Sequence, residues 1–308
     1  MRKRRPIPDH LRGRPIAARD AASVGLTESL WRGPGLARPF HGVRIAHDAE
    51  LSVRELIEAY SRRMPPAQFF SHTSAALLYG MPLPTRLERS SLIHVSAEPG
   101  GAIPRARGVI GHHAAWDRTP TTLGALRASS PLDTWCELST ILELDDLVAV
   151  GDFIVTGDEP FSGHPPLSCL DDMGAAVTAH GRRRGARSLS AALRLVRYGP
   201  LSRMETITRL FVVRAGLPEP SINYRVCDTH GRPVSMVDLA FVDWKVAVEY
   251  QGDHHREKGR FRDDIARRER LEDLGWTVVY ISIDDMGLRP AETIARLRTR
   301  LRSRGAPL

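Results

Sequence analysis

The stretch VSMVDLAFVDWKVAVEYQGDHHR, residues 234–256, decides the fold of the C-terminal part of the chain. Apolar and polar residues alternate on both sides of its central Asp-Trp dipeptide, which predicts two antiparallel strands joined by a tight turn. Pairing about that turn places Asp238 opposite Glu249, and Gln251 follows on the same face. Facing carboxylates destabilise a strand pair. A divalent cation bound between them would remove that cost.

These residues also carry a resemblance. Asp238 followed by Glu249-Tyr250-Gln251 resembles the D…(D/E)xK signature of the PD-(D/E)XK nuclease superfamily, with Gln251 in place of the usual lysine. The last third of the chain is similar to the Vsr-like endonuclease domains of many actinobacterial proteins. The matching motifs, in order, are SRMETITRLFVVRAGLPEP (202–220), VDLAF (237–241), VEYQGDHHR (248–256), RDDIARRERLEDLGW (262–276) and TVVYIS (277–282).

The resemblance implies an α/β domain over residues 188–300, a mixed restriction-endonuclease-like sheet flanked by helices. It implies Mg²⁺ or Mn²⁺ as the cofactor, with Asp238 and Glu249 as ligands, because such ions prefer hard oxygen donors. Glu205 matches the acidic residue that the first helix of this fold often adds to the metal site. Ser202 and Glu205 also have the spacing of a helix capping box, which is a structural explanation for the same glutamate.

Five further residues enter the predicted site through the same resemblance. Gln251 can hydrogen-bond a water or a phosphate, although it cannot carry the charge of a lysine. His255, and after it His254, match histidines that assist as acid or base in Vsr-like nucleases, and a structural role explains them as well. Arg256 and Arg267 are candidates for phosphate contact. Arg267 can instead hold an active-site carboxylate or form an ion pair within its helix.

Composition points to a polyanionic partner but does not identify it. The formal net charge is +8 and the pI is about 9.9, with arginine supplying most of the excess. Arginine suits bidentate contact with phosphate, and arginine enrichment can equally reflect a GC-rich genome. The three cysteines, Cys136, Cys169 and Cys227, are scattered without a CxxC motif, which argues against a disulfide framework and against a zinc site.

No apolar run approaches the length of a membrane span, and no apolar signal-peptide core follows the basic N-terminus. We therefore expect a cytoplasmic protein with no membrane partner and no small-molecule cofactor. Residues 1–14 are predicted to form a disordered basic arm. Residues 15–50 are predicted to be winged-helix-like, with a helix from Pro15 to about Val24, a second helix capped by Thr27, and a short hairpin as the wing.

Residues 51–156 are predicted to be a middle domain. It would contain an amphipathic helix, a second helix starting after Ser71 and ending at Gly80, a hairpin over 91–113 and a helix pair over 126–152. The order of SHTSAALLYGMPLP, the hairpin and DTWCELS resembles the middle region of AbiEi-type antitoxins of the type IV toxin–antitoxin class. That resemblance implies DNA binding and a cognate toxin as a partner. His72 is interpreted as part of a capped, packed helix start.

Residues 157–187 are predicted to be a linker with a short helix from Leu167 to about His180, and residues 301–308 a tail. The function expected from the sequence is metal-dependent endonucleolytic hydrolysis of DNA. The alternatives are a non-catalytic, antitoxin-like DNA-binding regulator with a degenerate nuclease fold, and an RNase.

Overall fold

The structure, a computed structural model, describes residues 7–46, 50–115, 118–157, 165–252 and 258–308, and of residues 258–265 it describes the backbone alone. Within those ranges the helices are α1 Glu28–Arg32, α2 Val53–Ser61, α3 His72–Tyr79, α4 Thr85–Glu88, α5 Pro131–Leu138, α6 Leu144–Thr156, α7 Leu170–His180, α8 Ala186–Leu195, α9 Arg203–Arg214, α10 Lys258–Asp273, α11 Ile283–Gly287 and α12 Pro290–Ser303. The strands are β1 Pro15–Ala17, β2 Val43–Ile45, β3 Gln68–Phe70, β4 Ile93–Ala97, β5 Val109–His113, β6 Thr121–Leu123, β7 Leu126–Ala128, β8 Ser221–Cys227, β9 Pro233–Phe241, β10 Val246–Tyr250 and β11 Thr277–Ile281.

The chain divides into two compact units. The first comprises residues 1–142 and 171–189, and the second comprises residues 143–170 and 190–308. The predicted middle domain ended at residue 156, but α6 is assigned to the second unit, where it packs against α9. The predicted helix pair over 126–152 therefore does not surround one local core. The predicted linker contains α7, which ends at His180 as expected and buries Met173.

A four-stranded mixed sheet forms the centre of the second unit, in the order β11-β10-β9-β8. β10 pairs in parallel with β11 and antiparallel with β9, and β8 is antiparallel to β9. The register Val248 to Leu239 is the one predicted, and Asp238 and Glu249 are the residues next to that pair. A 3-10 turn over Val242–Trp244 reverses the chain, with Lys245 in the left-handed conformation at φ 49°. The predicted α/β architecture of this region is confirmed at the level of a mixed sheet with flanking helices.

The core of the second unit explains why apolar and polar residues alternate along the strands of this sheet. Leu239, Val248 and Ile281 are fully buried on one face, where they pack with residues of α9 and α12. Leu301 belongs to the same cluster, and Ala306 is also buried. The predicted C-terminal tail is therefore wrong, because α12 extends to Ser303 and its last turn completes the core.

A five-stranded sheet, in the order β5-β4-β3-β7-β6, forms the centre of the first unit. The predicted hairpin over residues 91–113 is wrong, because β4 and β5 run parallel. Residues 98–108 are too many for a tight reversal, and they carry the chain back to the start of β4 before β5 begins. α3 begins after Ser71 and ends at Gly80, whose φ of 73° favours glycine, as predicted.

The N-terminal part of the first unit differs from the predicted winged helix. Pro15–Ala17 form strand β1, antiparallel to β2, in place of the predicted first helix, because all three residues are buried in a strand pairing. α1 is capped by the Thr27 side chain, as predicted. Residues 7–14 are not a disordered arm, since Leu11 is buried in an apolar cluster with Ile16 and neighbouring residues. None of the helices in the described ranges combines the length and the apolar character that crossing a membrane requires.

Candidate functional site

Asp238 lies near the end of β9, where its Oδ2 accepts a hydrogen bond from the backbone N–H of Tyr250 at 2.8 Å. Burial raises the pKa of this carboxyl to about 7, and the negative charges of Glu205 and Glu249 act in the same direction. The Tyr250 hydrogen bond and the Arg267 guanidinium oppose the rise without cancelling it. A facing pair of carboxylates predicts one raised pKa, and Asp238 is the group that carries it.

Glu249 faces Asp238 from β10 and is only 6% exposed. Arg267 of α10 binds both of its oxygens, with Nη1 2.6 Å from Oε2 and Nη2 2.7 Å from Oε1. The guanidinium is anchored by its Nε, which donates to Ser235 Oγ at 2.8 Å, and by the carbonyl of Met236. Of the roles predicted for Arg267, the structure shows the carboxylate-holding one.

Glu205 sits in the first turn of α9. Ser202 Oγ accepts from the Glu205 backbone N–H at 3.2 Å, which is the capping interaction expected from the sequence. The Glu205 carboxylate does more than complete a cap. Its Oε2 accepts from Leu201 N and from Asn223 Nδ2, both at 2.8 Å. Asn223, at φ 47°, reaches it from β8, so two elements hold this carboxylate beside the hairpin.

The predicted ligand set converges only in part. The ligand oxygens of Glu205, Asp238 and Glu249 do not all lie within 4.8 Å of one another. In the described part of the chain, the only group of candidate ligands this close together consists of histidines. Gln251 is exposed, and its backbone N–H donates to Ile281 O at 2.8 Å. His254, His255 and Arg256 lie outside the described residues.

A groove of about 400 Å³ is lined in part by residues that contact the partners of these carboxylates or the carboxylates themselves. Its lining includes Asn223, which holds Glu205, and Met236, whose carbonyl anchors Arg267. The charged residues of the wall are Arg197, Glu219 and Arg225, and its aromatic residue is Tyr198, which is 61% exposed. Sequence reasoning missed this groove, because its residues come from separate elements and share no motif.

A second cluster, in the first unit, was also missed. His72, His94 and His112 bring one ligand nitrogen each within 4.8 Å of the others. Burial, followed by the charge of His112, lowers the pKa of His72 to about 2 and that of His94 to about 4, and His94 also lowers the pKa of His72. The imidazoles are therefore neutral near pH 7. The sequence places these three histidines in or beside predicted strands and a predicted helix start. Their spacing along the chain does not match a recognisable metal-ligand motif, so the sequence did not reveal the cluster.

Comparison with known proteins finds relatives of the chain but does not assign it to a family. The chain is 33% identical over 127 residues to an uncharacterized protein found in each of two strains of Mycobacterium tuberculosis. The match covers 40% of this chain and 46% of each relative, so the chain spans just under half the length of the curated relatives it matches. No protein-family profile matches the chain. No solved structure is similar to it at a significant level.

Proposed function

We propose that the second unit is a metal-dependent endonuclease that hydrolyses DNA phosphodiester bonds, with Asp238 and Glu249 as the principal metal ligands. The observation that carries this proposal is the electrostatic state of Asp238. A buried carboxyl whose pKa is raised to about 7 by burial and by two further carboxylates costs folding free energy. Such a concentration of like charge is typical of a site that functions with a bound cation.

The donor set suits Mg²⁺ or Mn²⁺ in its chemistry, because every candidate ligand is a carboxylate oxygen. Asp238 and Glu249 would hold the ion, with Glu205 beside them. A bound ion would polarise the scissile phosphoryl group and acidify a water. Arg267 occupies both oxygens of Glu249, so a metal ion has to compete with its guanidinium for that ligand. The protein's own residues would thus make metal affinity depend on how readily Arg267 releases Glu249.

The groove beside the carboxylates supports a nucleic acid as the substrate. Arg225 is exposed and can contact a phosphate, and the exposed ring of Tyr198 offers a stacking surface for a base. The net charge of +8 favours a polyanion over long range. These groups do not read base sequence, and they would accept RNA as readily as single-stranded DNA, so both polymers belong in the test.

The test is a cleavage assay on plasmid DNA, single-stranded DNA and RNA, with Mg²⁺, with Mn²⁺ and with EDTA. We expect cleavage with either metal, none with EDTA, and loss of cleavage in Asp238→Asn. Asp243→Asn is the matched control, because Asp243 is an exposed carboxylate in the turn of the same hairpin. Absence of cleavage by the wild type on every substrate, or equal cleavage by Asp238→Asn, would remove the nuclease proposal.

A specific observation favours a second candidate function, a DNA-binding regulator that does not cleave. Glu249 is already neutralised by Arg267, and Gln251 cannot supply the positive charge of the usual lysine. Thermal melts separate the two candidates. A functional metal site predicts that millimolar Mn²⁺ raises the melting temperature of wild type and leaves Asp238→Asn unchanged, because ligand binding stabilises the state that binds it. A regulator with a degenerate site predicts salt-sensitive DNA binding with no metal-dependent shift.

A further inference from the structure

Three histidines from three elements meet on one face of the five-stranded sheet. His94 of β4 pairs in register with Ile110, and His112 of β5 pairs with Ser96, so the two imidazoles are diagonal neighbours on adjacent strands. His72 is the first residue of α3, which packs on β4. His94 Nδ1 lies 3.0 Å from His112 Nε2. The His72 and His112 rings are stacked, with their centroids 3.8 Å apart.

The cluster combines an unusual backbone conformation with partly buried polar rings. His72 has a φ of 50°, a left-handed conformation that is strained in a residue with a side chain. His94 is 9% exposed and the His72 side chain 12% exposed, so polar rings fill positions that apolar side chains occupy elsewhere on the sheet. A strained backbone and three partly buried imidazoles at one point indicate a function for the cluster.

We propose that His72, His94 and His112 bind a transition-metal ion, with Zn²⁺ as the first choice. Neutral imidazole nitrogen is a preferred ligand for zinc and for cobalt, nickel and copper, whereas Mg²⁺ and Mn²⁺ favour oxygen. Zn–N bonds of about 2.0–2.1 Å place tetrahedral ligand nitrogens roughly 3.3 Å apart. The ligand nitrogens here already lie within 4.8 Å of one another. Binding therefore requires side-chain rotations that bring these nitrogens closer together.

The surroundings of His72 resemble the outer shell of a metal site. Its Nδ1 lies 3.1 Å from Ser71 Oγ and 3.7 Å from Glu137 Oε2. An imidazole that donates one N–H to such oxygens presents its other nitrogen to a metal in a defined orientation. Glu137 is itself fixed, because it accepts from the His72 backbone N–H at 2.8 Å and from Ser129 Oγ at 2.9 Å.

Three protein ligands leave the fourth tetrahedral position for water or another small ligand. Structural zinc sites close all four positions with protein groups, whereas sites that keep one open can bind an anion or activate a water. His72 and His112 retain partial exposure, so solvent reaches the cluster. The proposed site lies in the first unit and is independent of the carboxylates of the second.

The experiment is a titration of the untagged full chain with Zn²⁺ and with Co²⁺, with Mg²⁺ as the negative control. We expect stoichiometric Zn²⁺ binding and a visible Co²⁺ spectrum of tetrahedral nitrogen and oxygen ligation, without thiolate charge-transfer bands. His112→Gln should weaken Zn²⁺ binding by more than about 100-fold, and Glu137→Gln by about 10–100-fold. His113→Gln is the matched control, because His113 is the neighbouring residue of β5 and points to the opposite face.

Several results would overturn the proposal. The first is a wild-type protein that does not bind Zn²⁺ stoichiometrically. The second is a Co²⁺ spectrum with thiolate bands, which would assign the ion to the cysteines. The third is equal Zn²⁺ affinity in His112→Gln and His113→Gln. The wild-type titration needs no substitution, so absence of Zn²⁺ binding overturns the proposal even if His112→Gln fails to fold, and Glu137→Gln then supplies the variant that tests the position of the site. Asp238→Asn should bind Zn²⁺ like the wild type, whatever its nuclease activity. Failure of the nuclease proposal and failure of this one are therefore distinguishable.

Discussion

Arg267 of α10 donates two hydrogen bonds, of 2.6 and 2.7 Å, to the carboxylate of Glu249 in β10. The two residues are 18 positions apart in the sequence. Glu249 is buried, and its guanidinium partner is about a third exposed, at 32%. The pair explains how a carboxylate is accommodated in β10 opposite Asp238, because Arg267 neutralises one of the two charges. Asp238 is left to carry the raised pKa.

Arg267→Met should destabilise the fold by about 3 kcal/mol. The substitution keeps the aliphatic volume but removes the guanidinium from a buried carboxylate, and breaking such a pair from one side is costly. Urea denaturation monitored by circular dichroism measures the change. Arg268→Met is the matched control on the next residue of α10. Its pair with Glu272 is exposed on both sides, so the expected loss is below about 0.5 kcal/mol. Equal losses in the two variants would show that the Arg267–Glu249 pair contributes nothing.

Asp238→Asn should stabilise the metal-free protein above pH 7, by about 2–4 kcal/mol. The folded pKa of about 7 lies above the value of an unfolded aspartate, so the folded state binds the proton more tightly. Asp238 therefore costs stability progressively as the pH rises from about 4 to about 7. The advantage of the asparagine should be greatest at pH 8 and vanish toward pH 4. Denaturation at several pH values tests this, with Asp243→Asn as the control, and a pH-independent difference would contradict it.

Arg225→Ala should weaken binding to nucleic acid by a similar factor for all sequences, and it should lower the salt-dependence slope by about 1. A single phosphate contact carries charge and no base information. Fluorescence anisotropy with labelled DNA over a range of salt concentrations gives the slope. Arg232→Ala is the matched control, because Arg232 lies at the far end of the β8–β9 hairpin and pairs with Asp228. An unchanged slope in Arg225→Ala would exclude the groove as the binding surface.

Gly111→Ala should cost about 1–3 kcal/mol of stability. A Cβ at this position would lie 2.3 Å from the carbonyl oxygen of Pro104 and 2.6 Å from Ile103 Cγ2, so β5 or the preceding loop has to move. Gly174→Ala should have the opposite sign. It lies inside α7 with nothing within 4 Å of the added carbon, and alanine favours a helix over glycine by about 0.5–1 kcal/mol. Thermal melts of the two variants test both signs together.

Local patterns in the sequence predicted the features that depend on near neighbours. The register of β9 with β10 follows from two-residue alternation about a tight turn. The end of α3 follows from the left-handed Gly80, and the Ser202 cap follows from spacing within one helical turn. Each of these features depends on interactions between residues that are close in the sequence, so local sequence patterns predict it.

Strand direction and strand identity were decided at longer range. Residues 93–97 and 109–113 alternate in the same way whether they pair parallel or antiparallel, and the path of residues 98–108 decides between the two. Pro15 suits the first turn of a helix, but burial of Pro15–Ala17 against β2 outweighs that local preference. The predicted domain boundary at residue 156 is wrong for a related reason. α6 packs against α9, which comes much later in the chain.

The sequence by itself determined the register that brings Asp238 close to Glu249, because strand alternation about a tight turn favours pairing of Leu239 with Val248. Only the tertiary structure decided what each carboxylate contacts. Arg267 comes from α10, and Asn223, which holds Glu205, comes from β8. The His72, His94 and His112 cluster likewise exists only because a helix start and two parallel strands meet in space. Side-chain contacts between elements depend on packing over many residues, and no spacing along the chain encodes them.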